Sequence, residues 1–223
     1  VVSCIVILAI VLWAVGVFVA RSSFPKTSGE LKLSGLNSQV DIYRDAYGIP
    51  HIYAQTSHDL FFAQGYVPAQ DRFWQMDFWR HIGSGRLSEM FGESQLETDT
   101  FLRTLGWGRV AQQELDGMST EELMLLQAYA DGVNAYLADH KGAALSLEYA
   151  ILKLLTPDYT PEPWQPINTI TWGKAMAWDL GSSRLDAEVE HAILMKTLTP
   201  EQIADLFPPY PSDHPVVVPN YST

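Results

Sequence analysis

The sequence predicts an α+β fold that is mainly helical, with a few strands near residues 40–54. Two strand-like pieces, residues 40–44 and 51–54, flank Tyr47-Gly48-Ile49-Pro50. That tetrapeptide reads as a turn, because Gly48 tolerates positive φ and Pro50 forces its predecessor to be extended. Everything beyond is a series of capped, apolar-rich segments with helical spacing.

Residues 1–20, VVSCIVILAIVLWAVGVFVA, carry no charge. A helix of that length is roughly 30 Å long, the thickness of a bilayer core. Two readings compete. A cleaved signal peptide has a shorter apolar region and a small-x-small cleavage site, and Phe18-Val19-Ala20 puts a bulky residue where a small one is needed. An uncleaved membrane anchor is therefore preferred, which places the following domain on the extracytoplasmic or periplasmic face; cleavage would make it secreted. Cys4 lies within this run and reads as an apolar residue. With no initiator Met, the sequence is expected to continue upstream. Residues 21–35, rich in Ser, Lys, Gly and Pro, read as a linker.

The chain has 26 Asp+Glu against 14 Lys+Arg, a formal net charge of −12. That argues against nucleic acid as a partner and against electrostatic docking on anionic lipid. One Cys permits no disulfide within the chain.

Thr56 or Ser57 is the expected N-cap of a long helix, with Asp59 favouring its dipole and Gly83-Ser84-Gly85 ending it. Nearly every face of that helix is apolar, so it belongs in the middle of a large protein. Asp71 and Arg72 cannot both face solvent on it, and Asp77 and Arg80 stand three apart, able to pair. These charges read as structural buried pairs. Asp99 and Arg103 suit a short surface helix. Ser119 to Glu122 form a capping box before Leu123, Leu126, Tyr129, Ala130, Val133 and Tyr136 at helical spacing, and Gly132 implies close approach of another element. Residues 147–155 form a short helix, residues 157–166 carry four prolines and no regular structure, and Trp164 plugs the core. A second buried helix spans residues 167–180, Gly181-Ser182-Ser183 breaks it, and residues 185–198 resume helical periodicity. Thr199, Pro200 and Gln202 mark another helix start. From Phe207 the chain is proline-rich and extended. The tryptophans beyond residue 20 are numerous enough that many are expected to pack against a second chain or a downstream part.

Six histidines, His51, His58, His81, His140, His191 and His214, show no zinc-motif spacing, and no serine sits in a Gly-x-Ser-x-Gly elbow. The residues by themselves show no catalytic centre.

RDAYGIPHI, DLFFAQGYVPAQDRFWQMDFWR and GRLSEMFG, followed by AYADGVNAYL and PEPWQP, closely resemble the α-subunit region of the penicillin acylase (penicillin amidase) family. One departure is Pro68, where the family pattern leads us to expect histidine; proline there predicts a kink. The resemblance implies residues 36–213 as an α-subunit domain and 214–223 as the start of a linker toward a β chain of the same precursor. It implies an N-terminal nucleophile amidohydrolase, built as an αββα sandwich to which this portion gives mainly helices. In that family the nucleophile is the serine opening the β chain, with its own α-amino group as base and an oxyanion hole from β-chain groups. No catalytic residue is thus expected here.

What the resemblance implies for this portion is support. Met176, Trp178 and Leu180 match the segment bordering the acyl pocket, although residues 176–188 run slightly longer than the family pattern. Glu188 matches a glutamate that contributes to a structural calcium site shared with the β chain, with Asp186 and Glu190 the alternatives. The implied reaction is hydrolysis of a small N-acyl amide: a β-lactam side chain, an acyl-homoserine lactone or another N-acyl compound. Two competing readings are a membrane-tethered helical binding module without catalysis and a degenerate, non-catalytic family member.

Overall fold

In this computed structural model, which describes residues 2–181, 183–208, 211 and 213, a helix α1 (Val2–Ser22) precedes a hairpin of β1 (Asp41–Arg44) and β2 (Pro50–Tyr53). The strands are antiparallel, with Asp41 opposite Tyr53 and Arg44 opposite Pro50. The turn is made as its residues require. Gly48 has φ +78°, and the Asp45 carboxylate accepts from the N–H groups of Tyr47 and Ile49, both at 2.9 Å.

Helix α2 (Ser57–Ser84) follows. The Thr56 hydroxyl accepts from the Asp59 N–H at 3.1 Å, and Gly85, at φ +61°, closes the far end. The expected kink is not at Pro68. The non-helical dihedrals fall at Arg72 (φ −156°, ψ 36°), one turn later. Pro68 withholds its missing N–H from the carbonyl of Gln64, whose residue is exposed, so water can meet that carbonyl without bending the helix. The break at Arg72 separates Asp71, drawn toward β1, from the core-facing run Phe73, Met76, Asp77 and Arg80. Arg72 itself is exposed and Asp71 is half-buried.

The short helix α3 (Ser88–Phe91) and helices α4 (Leu96–Leu105) and α5 (Trp107–Gly117) lead to α6 (Thr120–Asp139), which opens with the full capping box of Ser119 and Glu122. Helices α2 and α6 are the spine of the fold. A Cβ added to Gly132 would stand 1.8 Å from the Phe62 carbonyl oxygen, and one on Gly65 2.0 Å from that of Tyr129. Two glycines facing opposite ways let the two backbones touch. Tyr66 and Tyr136 then meet edge to face across the pair. Asp99 differs from expectation. It is buried and does not pair with Arg103; its carboxylate accepts from the backbone N–H groups of Leu87 and Ser88 at 2.7 and 2.9 Å, serving the start of α3.

After a 3-10 turn at Gly142–Ala144, against which α1 comes to rest, α7 (Leu147–Leu155) packs Tyr149 and Leu152 into the core. The proline-rich loop then delivers Trp164, buried as expected. Helix α8 (Pro166–Gly181) follows. The chain divides into two compact units, Val1–Met176 and Ala177–Thr223. The second holds the end of α8, then α9 (Ser183–Leu194) and α10 (Pro200–Leu206). Ser182, within the anticipated break, lies outside the described residues. Helix α9 stops at Leu194, four residues before the expected end, where a turn leads into the Thr199–Gln202 capping box. Most of the strap beyond Phe207 also lies outside the described residues.

Trp74, Trp79, Trp107, Trp164, Trp172 and Trp178 are all buried or half-buried. Exposed apolar residues beyond α1 include Phe24, Tyr43, Tyr47, Ile49, Tyr53, Phe101, the outer face of α7, and Leu180, Leu185, Val189 and Ile193.

Candidate functional site

Helix α8 has one fixed half. Thr171 and Ala175 are buried, and a Cβ on Gly83 of α2 would stand 2.4 Å from the Thr171 carbonyl oxygen, so backbone meets backbone there. The Trp164 indole N–H donates to the Thr169 hydroxyl at 3.0 Å, and Lys174 pairs with Glu114 of α5 at 2.7 Å. From Met176 onward the helix opens to its surroundings. Met176 is 42 % exposed and Leu180 79 %. Being four apart, these two share a face. Trp178 sits about 200° round the axis from Met176 and is half-buried. Met176 and Leu180 are thus brought together, and Trp178 is turned away from them.

Glu188 lies on α9 and is exposed. Asp186 and Glu190, also exposed, share one side of that helix with each other by their spacing of four, while Glu188 points to another. One ion could therefore meet one or two carboxylates of α9, where calcium takes roughly six to eight oxygens. Among the described residues no group of three or more His, Cys, Asp or Glu side chains gathers. The carboxylate chemistry fits a partial contribution to a calcium shell, completed from outside these residues. Leu185, Val189 and Ile193 form an exposed apolar stripe along the same helix.

The platform carrying α8 is a buried polar cluster centred on Asp77. Its carboxylate accepts from Arg80 Nε at 2.7 Å and from the Tyr149 and Tyr159 hydroxyls at 2.6 and 2.7 Å. Asp77 is 0 % and Arg80 3 % exposed. Arg80 also donates to the carbonyls of Glu162 and Pro163, and the His81 ring contacts the Asp77 carbonyl oxygen at 2.7 Å. Burial, and then the adjacent Asp77 charge, drive both tyrosine hydroxyls far above their ordinary value. The loop before Trp164 is thereby fastened to α2, and Asn134 of α6 clamps Trp164 by accepting from its N–H and donating to its carbonyl.

Two further ties were not foreseen. Arg44 makes a bidentate pair with Asp71, at 2.8 and 2.9 Å, joining β1 to α2. The buried Asp59 carboxylate accepts from the N–H groups of Asn37 and Ser38. Burial pushes Asp59 upward, but those bonds, with His58 and Thr56, together hold it below the ordinary carboxylate value. The only sequence signal for either tie is the presence of a charged residue on an otherwise apolar helix, which demands a partner without naming it.

A largely helical body with one hairpin and an α2–α6 spine has clear counterparts. The penicillin amidase family model matches residues 39–223. The chain belongs to that family. It is 37% identical over 162 residues to penicillin acylase 2 proenzyme of Pseudomonas sp. (strain SE83), covering 73% of this chain and 20% of that protein. It is 34% identical over 192 residues to the acyl-homoserine lactone acylase QuiP of Pseudomonas aeruginosa, covering 86% and 22%. Among solved structures, a thermostable penicillin G acylase from Alcaligenes faecalis matches with a TM-score of 0.61 at 25% identity, over 82% of this chain and 98% of that one. The chain spans about a fifth of the length of the curated relatives it matches.

Proposed function

We propose that this chain is the α-subunit portion of an amidase that hydrolyses a small N-acyl amide. The attacking group would be the serine opening the β chain of the same precursor, through an acyl-enzyme, with the serine's α-amino group taking up its proton. The observation that carries the reading is the match of this body to 98% of a penicillin G acylase chain. One relative is itself called a proenzyme, which supports a precursor cut in two. Relatives at similar identity are called penicillin acylases and acyl-homoserine lactone acylases, so the acyl group stays open between these classes.

In this reading Met176 and Leu180 offer apolar surface to the acyl group, and Trp178 stiffens the helix that carries them. Glu188 gives one carboxylate to a calcium ion shared with the β chain. Calcium would supply structural cross-linking and no chemistry of its own. The stripe of Leu185, Val189 and Ile193 would meet the β chain as well. Residues 1–20 are an anchor, the domain runs over 36–213, and 214–223 lead toward the β chain.

The test is the full-length precursor. Two chains should appear on purification, together with release of amine from N-acyl test substrates. A precursor that stays whole and hydrolyses none of them sinks the proposal. In the mature enzyme, Leu180→Ala should raise KM for long acyl chains more than for short ones. Glu188→Gln should weaken calcium binding roughly tenfold or more, measured by titration.

A further inference from the structure

Gly83 is buried near the end of α2, and its φ lies outside the left-handed region, so its conformation does not call for glycine. What glycine permits there is the approach of α8. A Cβ would stand 2.4 Å from the Thr171 carbonyl oxygen and 2.7 Å from the carbonyl carbon, backbone atoms that no rotamer change can move aside. Ordinary contact begins at about 3.4 Å, so any side chain at this position must part the two helices by about 1 Å. One turn back on α2, the Trp79 ring meets that of Trp172 edge to face in the same seam.

The geometry of α8 turns that separation into a movement of Met176. Thr171 and Ala175, four apart, share the face turned to the body, and both are buried. Met176 lies about 140° round the axis from Thr171, on the side of α8 away from α2, and is exposed. The first turn of α8 is held, because Trp164 donates to Thr169 and is itself clamped by Asn134. Pushed at Thr171, the helix gives by tilting about that turn. The displacement then grows toward Met176, about 7.5 Å further along the axis. The Lys174–Glu114 pair beyond the contact is partly exposed and too weak to resist. Gly83 and the stretch from Thr171 to Met176 all belong to one compact unit.

We propose that Gly83 is a positioning residue that sets the depth of the acyl pocket. The proposal rests on the reading of Met176 as part of that pocket's wall. Glycine lets α8 settle onto α2 and draws Met176 back. A Cβ at residue 83 advances Met176 into the space for the acyl group and shortens the chain that fits. A shift of about 1 Å approaches the length of one methylene, and one methylene in an apolar pocket is worth about tenfold or more in discrimination.

The test uses the mature enzyme made from the full-length precursor, with N-acyl substrates that share one amine and differ in acyl length. Gly83→Ala should raise KM about tenfold for long acyl groups and leave kcat and KM for short ones within about twofold. Adding Met176→Ala to Gly83→Ala should restore the long substrates, since the smaller side chain returns the lost depth. Ala175→Val crowds the buried face of α8 and should shift the preference the same way. Gly132→Ala loosens α2 from α6 instead; it should lower the denaturation midpoint and leave the preference where it is. If Met176→Ala alone does not change the chain-length preference, Met176 is not at the acyl group, and the pocket reading falls with this proposal. If Met176→Ala changes it while Gly83→Ala and Ala175→Val do not, the pocket reading stands and the proposal is refuted. Equal loss of long and short substrates without rescue, or failure of both Gly83→Ala and Ala175→Val to mature, makes the contact structural only and equally refutes it.

Discussion

Asp77 shows how a single residue sets the stakes of its surroundings. A carboxylate with no exposure survives because one guanidinium and two hydroxyls replace its water. Removing one partner leaves the charge uncompensated. Arg80→Met should therefore cost about 3–5 kcal/mol, seen as a lower denaturation midpoint of the full-length protein. The tyrosines give a pH test. In the unfolded chain they lose protons near their ordinary value of 10.0, while in the fold they keep them to higher pH. Above pH 10 the folded state binds more protons than the unfolded one, so stability falls as pH rises. The Tyr149→Phe, Tyr159→Phe double variant should flatten that alkaline limb, and an unchanged limb would show that the hydroxyls do not hold their protons. The pairing of Asp77 with Arg80 was legible at a spacing of three, because it is local. Tyr149 and Tyr159 were not, since no periodicity links residues 72 and 82 positions away.

At the scale of the element, caps and periods were read well and contacts between elements only in part. Both capping boxes, the Thr56 cap, the Gly85 stop and the 147–155 helix stand as the local sequence dictates. Gly132 was legible as a close approach, but its partner Gly65 was not. Gly132→Ala puts a methyl group into a carbonyl, so α2 and α6 must separate. The expected loss is about 1–3 kcal/mol, more than Gly117→Ala, where nothing stands in the way. Equal midpoints for the two variants would refute backbone contact as the reason for glycine. The kink was misplaced because proline's local penalty was weighed without its surroundings. The freed carbonyl belongs to an exposed residue, and the non-helical dihedrals fall a turn later, next to Asp71, which is tied to Arg44.

Beyond α1 the tryptophans are buried or half-buried, while the aliphatic stripes on α7 and α9 stand exposed. On the proposed reading of α1 as an anchor, deleting residues 2–22 from the full-length protein should move it from the membrane pellet to a form released by mild washing. What the sequence by itself determined is the family, the order and ends of most elements, and the need of each charge on α2 for a partner. Those depend on short-range chemistry: spacing, caps and turn residues. Only the tertiary structure decided which partner each charge takes, where the kink falls, and which apolar side chains stay outside. Those outcomes depend on which distant segments share one dry interior, and desolvation is set by the assembled surroundings, not by a residue's neighbours along the chain.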